Sequence, residues 1–164
     1  MKIRSLGAVF LLLAGPVSAQ PGLAPAAPSI PLSLALEAVQ TSLAACSAKN
    51  SPAAVEVVDA NGNLKAMLFA DGARPGLIEF ARRKAYTVFK KKVSSREFGK
   101  PLGNAMVANA PPIEGDPNLI AYAGGMPIMK NGAFLGALAV SGPGGQDQDE
   151  VCAAAGLDKI KDRL

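Results

Sequence analysis

An α+β domain with antiparallel strands is the fold class this chain predicts, and two hairpin signals and one long amphipathic helix predict it. The first hairpin turns at Asp59-Ala60-Asn61-Gly62-Asn63, and the second at Lys130-Asn131-Gly132. Asn-Gly pairs suit the positive φ angles of a tight type I′ turn, and strands joined so tightly must run antiparallel. Between the hairpins, Leu77 to Val93 carries Leu77, Ile78, Ala81, Ala85, Val88 and Phe89 on one stripe, with Arg82, Arg83, Lys84, Lys90, Lys91 and Lys92 around the remainder. Such a helix covers a sheet face.

The second hairpin organises the rest. Tyr122 to Met129 and Ala133 to Ser141 are apolar and rich in strand-forming residues. Gly124-Gly125 stands where its first strand begins and Gly142 where its second ends, so turn chemistry alone, or the close approach of another backbone or a flat ligand, can account for them.

The chain begins with Lys2 and Arg4, an apolar run from Leu6 to Ala14, and Val17-Ser18-Ala19, the small-x-small pattern of a signal peptidase site. Residues 1–19 are thus expected to be an export signal, with an uncleaved anchor as the alternative, and the mature protein periplasmic or secreted from near Gln20. No second membrane segment is expected. Removing Lys2 and Arg4 lowers the formal charge of +4 by two, which leaves too little basic surface to suggest nucleic acid as a partner. Residues 20–31, with Pro21, Pro25, Pro28 and Pro31, read as an extended tether. Residues 32–164 form one expected domain. Hydrophobic residues make up 49% of the chain and aromatic residues 5%, so aliphatic side chains must build its core.

Ser33 is the expected N-cap of a first helix, with Leu34, Leu36, Val39, Leu43 and Cys46 at helical spacing and an end near Lys49-Asn50. Strands at Pro52 to Asp59 and Leu64 to Ala70 follow. Glu56 interrupts the first of them and points to the face opposite Val55 and Val57. It is expected to face solvent, a pocket or interface acid being the alternative. The basic face of the long helix is read first as solvated and second as holding carboxylates. Ser95 is the expected cap of a short helix at Arg96-Glu97-Phe98, and Leu102 to Ala108 adds a turn or two. The loops at Ala110-Pro111-Pro112 and Gly115-Asp116-Pro117 would rim a binding site. Gln146 to Ile160 closes the chain as a helix with Asp147, Asp149 and Glu150 near its N-terminus.

Cys46 and Cys152 are the only cysteines. In an exported chain they are expected to close one disulfide across about a hundred residues, worth on the order of 4 kcal/mol in the chain-entropy model. Two separate thiols are the alternative. A catalytic thiol lacks a base, because the chain has no histidine. A His-based hydrolytic triad is excluded for the same reason, and no nucleophile elbow, metal-ligand cluster or phosphate loop is present. No catalytic residue is assigned.

Ala53-Ala54-Val55-Glu56-Val57-Val58-Asp59-Ala60-Asn61-Gly62-Asn63-Leu64, Lys84-Ala85-Tyr86-Thr87, Gly124-Gly125-Met126-Pro127-Ile128, Gly136 to Gly142 and Gln148-Asp149-Glu150 together resemble the GlcG/HbpS-like haem-binding family, one that includes haem-degrading domains. The resemblance runs from about Leu32 to Ile160. It implies a profilin-like, PAS-like antiparallel sheet of about five strands packed by helices, assembly as a homo-oligomer, and haem as cofactor. The macrocycle would lie in a crevice beside Gly124-Gly125, with Arg83 or Lys84 near its propionates. Histidine ligation is impossible here. Tyr86, Thr87, Tyr122, Met126 and Met129 are the groups near the family motifs that could face iron, besides a free Cys or water. The alternative function is a non-haem accessory module that binds an extracytoplasmic protein partner or a small carboxylate.

Overall fold

The computed structural model describes residues 28–103 and 113–164. The expected export signal, most of the expected tether and the segment 104–112 lie outside them, and with that segment most of the helical turn expected at Leu102 to Ala108 and the loop at Ala110-Pro111-Pro112.

Helix α1 spans Leu32–Ser47. Pro31, not Ser33, occupies the N-cap, and its carbonyl accepts from Ala35 N at 3.0 Å. A proline has no N–H to leave unpaired at that end. Asn50, with φ of 54°, turns the chain out of the helix close to the expected stop. Strands β1 (Ala54–Asp59) and β2 (Leu64–Phe69) pair antiparallel, Glu56 opposite Met67. Their turn is held by Asp59 Oδ1, which accepts from Asn61 N at 2.8 Å and Asn63 N at 2.9 Å.

Helix α2 spans Leu77–Lys91 and stops at Lys92, which adopts a left-handed conformation. Helix α3 (Ser95–Gly99) is capped one residue earlier than the sequence suggested, by Ser94 Oγ accepting from Glu97 N. Strand β3 is Gly125–Lys130 and β4 is Ala133–Ser141. Asn131 and Gly132, with φ of 50° and 80°, supply the two positive angles of the type I′ hairpin. Helix α4 spans Gln146–Ile160.

The sheet order is β2-β1-β4-β3, every neighbour antiparallel. Four strands form among the described residues, where about five were expected. Before β3, Glu114 and Gly115 take positive φ angles, and Ile113 and Asp116 meet in an isolated bridge around a turn. The edge strand β3 carries Pro127.

Alternation along the strands divides the core. Val55, Val57, Leu138 and Val140 pack with Leu34, Ala38, Val39, Ala153 and Ile160 of α1 and α4. The other face sends Ala54 and Val58 of β1, and Ala137 and Ala139 of β4, toward Leu77, Ala81, Ala85 and Val88 of α2. The molecule thus has two helices on one side of the sheet and α2 on the other. Cys46 and Cys152 are joined in a disulfide with Cα atoms 5.5 Å apart, fixing α1 to α4.

Candidate functional site

Because β1 alternates, Glu56 shares its face with Ala54 and Val58 and lies under α2. It is not solvent-facing as expected: only 2% of its surface is exposed. Glu56 does alternate with Val55 and Val57, but α2 crosses the face that a lone carboxylate would ordinarily give to water. Glu56 lines a cleft of about 300 Å³ between α2 and the β1–β2 hairpin. Val58, Leu64, Met67 and Phe89 form its apolar wall, and Arg82, Arg83, Tyr86 and Asn118 its polar rim.

The electrostatics of the cleft follow from burial. Desolvation pushes the Glu56 carboxyl up to about 7, with Arg82 pulling it down and Glu79 adding a smaller upward push. Glu56 Oε2 is buried and has no hydrogen-bond partner. Arg83 is half committed: its Nη2 donates to the Leu119 carbonyl at 2.9 Å, while its buried Nε has no partner. Tyr86 Oη donates to Asp116 Oδ2 at 2.8 Å. That bond holds the phenol above its usual range, while the Asn118 backbone N–H and the phenol hold Asp116 below its own. The rim loop is therefore fastened to α2 by successive bonds: Lys91 to Glu114, Tyr86 to Asp116, Arg83 to Leu119, and Ile120 N to Thr87 Oγ1 at 2.9 Å.

Glu56 gives this protein a pH-dependent stability whose sign can be stated. Its folded pKa lies above the unfolded value, so its contribution is full below about 4.5 and is lost as pH rises through about 7. The loss is on the order of 3 kcal/mol. Thermal midpoints measured across that window should fall with pH in the wild type and stay flatter in Glu56→Gln; parallel curves for the two proteins would refute the assignment.

A second polar cluster lies deeper. Lys84 is fully buried and donates to Asp149 Oδ2 at 2.6 Å and to the Val140 carbonyl at 2.8 Å, with its ammonium 5.3 Å from the centre of the Tyr122 ring. Asp149 Oδ1 accepts from Gly142 N at 2.7 Å. Gly124 and Gly125 serve this packing. A Cβ on Gly124 would stand 2.7 Å from both Asp149 Cβ and the Val140 carbonyl, and one on Gly125 would stand 2.9 Å from the Lys84 carbonyl. The close approach that the sequence allowed at this pair is made by the protein itself.

The eight residues expected at the ligand therefore separate. Arg83 and Tyr86 line the cleft. Lys84, Gly124 and Gly125 are buried inside the joint between α2, β3, β4 and α4, with Tyr122 against Lys84, while Thr87 is buried and accepts from Ile120 N of the rim loop. Met126 packs on the opposite sheet face, against the α1–α4 core, and Met129 is exposed at the hairpin tip. Sequence reasoning did not single out Met67 and Leu64 for the site. Their pairing opposite Glu56 and Val58 in the hairpin register was the signal that could have found them. Among the described residues no group of His, Cys, Asp and Glu side chains could hold a metal ion, and no helix is long and apolar enough to cross a membrane.

Known proteins share this architecture. The family model described as haem degrading protein HbpS-like matches residues 30–158. The crystal structure of a double mutant of Streptomyces reticuli HbpS is 31% identical, covering 90% of this chain and 97% of its own, with a TM-score of 0.75. The PduOC:heme complex, at 20% identity, shares the fold with a TM-score of 0.72 over 80% of this chain and 95% of its own. A 15.0 kDa protein of the dhaT-dhaS intergenic region of Citrobacter freundii is 28% identical over 109 residues, 66% of this chain and 76% of that protein. With most of its length matched by the family model and the same layered sheet in its relatives, the chain belongs to the HbpS-like family.

Proposed function

We propose that this protein is an exported haem-binding or haem-handling member of its family, holding the ligand in the cleft between α2 and the β1–β2 hairpin. The observation that carries this reading is the pairing of an apolar wall with two arginines in that cleft. A flat apolar ligand with carboxylates at its edge needs those two features. The crevice expected beside Gly124-Gly125 offers less, because protein atoms fill the positions next to both glycines.

The residues present fit haem at its periphery. Arg82 and Arg83 would hold the propionates, and Leu64, Met67 and Phe89 would keep water from the ring faces. Haem, when bound, supplies a redox-active iron. Tyr86 and Met67 are the oxygen and sulfur groups at the cleft that could face it, and Asp116 keeps the proton on Tyr86 Oη. Export is supported by the leader pattern of residues 1–19 and by the disulfide, which suits an oxidising compartment. Homo-oligomeric assembly belongs to the same reading.

A haemin titration of the protein from Gln20 onward tests it. A saturable, shifted Soret band is expected, with Arg82→Ala/Arg83→Ala weakening binding about tenfold or more, since charge-assisted hydrogen bonds contribute roughly 1.5–3 kcal/mol each. Tyr86→Phe should move the band if the phenol faces the iron. A spectrum equal to free haemin with inert protein would end the haem reading. The second reading, a non-haem module taking a small carboxylate or a protein partner, is favoured by the lack of any histidine alongside this arginine pair.

A further inference from the structure

Two residues that line one cleft each carry an unpartnered buried polar atom, Glu56 its Oε2 oxygen and Arg83 its Nε donor. Each is buried, and leaving such an atom unpaired costs roughly 1–3 kcal/mol. The neighbours cannot satisfy them. Arg83 Nη2 is spent on the Leu119 carbonyl, Tyr86 Oη on Asp116, and the residues opposite Glu56 in β2 and β4 are Met67 and Ala139. Glu56 is the one acid among the residues lining the cleft, against Arg82 and Arg83, so an anionic occupant is favoured over a cationic one. An ionised Glu56 would repel that anion, whereas a protonated Glu56 is a donor.

We propose that the cleft is a proton-linked carboxylate clamp, in which one ligand carboxylate accepts a hydrogen bond from the Glu56 carboxylic acid and another from Arg83 Nε. Arg82 supplies further positive charge at the mouth. Carboxylate binding at alkaline pH then takes up one proton from solvent, and loss of that proton releases the ligand. The charged and titratable groups facing Glu56 are Arg82, Arg83, Tyr86 and Glu79 of α2; β2 and β4 present Met67 and Ala139, and the rim loop Asn118 and the Tyr86-bonded Asp116. This rests on the cleft assigned above and specifies how it grips and releases its ligand.

The test is calorimetric titration of the full mature protein with haemin and, separately, with sodium propionate against sodium chloride of equal ionic strength. Each is run at about pH 6 and about pH 8, in buffers of different ionisation enthalpy. Affinity should be roughly tenfold weaker at the higher pH, with uptake of about one proton there. Glu56→Gln, which keeps a donor but cannot titrate, should bind with a flat pH profile; Glu56→Leu should bind weakly at both. Melting curves establish that each variant is folded, and Arg83→Lys, which leaves Glu56 in place, should weaken binding while keeping the pH slope. Haemin bound with a shifted Soret band but no proton uptake would overturn the clamp and leave the haem reading standing. Proton-linked propionate binding without haemin binding would do the reverse. No binding of either ligand would overturn both.

Discussion

Replacing Lys84 by Met should cost about 3–5 kcal/mol of folding stability, because it leaves a buried carboxylate without its counter-charge. Lys84 and Asp149 are both essentially inaccessible and meet at 2.6 Å. Burial pushes the Asp149 carboxyl up and the Lys84 ammonium down, and their contact opposes both shifts. Without Lys84 the Asp149 carboxyl must rise further. A raised folded pKa gives stability that is kept at low pH and lost as pH climbs through it, so the deficit against wild type should grow from about pH 5 to about pH 8. Urea unfolding at both values checks the sign; a deficit below about 1 kcal/mol, or one that shrinks with pH, would contradict the assignment. The double replacement Lys84→Met/Asp149→Leu should cost less than the two single changes added together, since coupled partners are not additive.

Loss of the Cys46–Cys152 bridge should be comparably severe. The cysteines are 106 residues apart in sequence, and the chain-entropy model assigns a loop of that size about 4 to 5 kcal/mol. Both sulfurs sit in the α1–α4 core, so Ala replacements would add small cavities. Comparing the oxidised and reduced wild type isolates the covalent contribution. The reduced protein should unfold at lower denaturant and with a steeper dependence on it, because its unfolded chain is less compact. Coincident transitions would show that the bridge adds nothing beyond the packing around it.

Local chemistry made parts of this fold legible in advance. The Asn131-Gly132 turn and both ends of β4 were readable because turn geometry and apolar runs are local properties. The pairing of the two cysteines was expected from their count and from the export signal read at the N-terminus. What stayed hidden depends on partners far along the chain. Lys84 sits in a helix none of whose other cations is fully buried, and only Asp149, 65 residues later, explains why this one is. Glu56 interrupts an apolar strand, and no neighbour in sequence reveals that α2 will cover it. Tyr122 to Gly124 look like strand, yet Gly124 is the point where α2, β4 and α4 converge, and β3 begins only after it. The cleft was illegible for a related reason: its walls come from a hairpin and a helix whose separate patterns say nothing about the gap between them.

The order β2-β1-β4-β3 leaves a sheet with two rims, and a rim is an invitation for another extended chain to continue the ladder. Pro127 withholds a hydrogen-bond donor from the β3 rim, and the register slip between Val57 and Val58 bends β2 beside Lys65. Neither border offers a straight row of unused amides. Growth by strand stacking would therefore have to begin on a broken template.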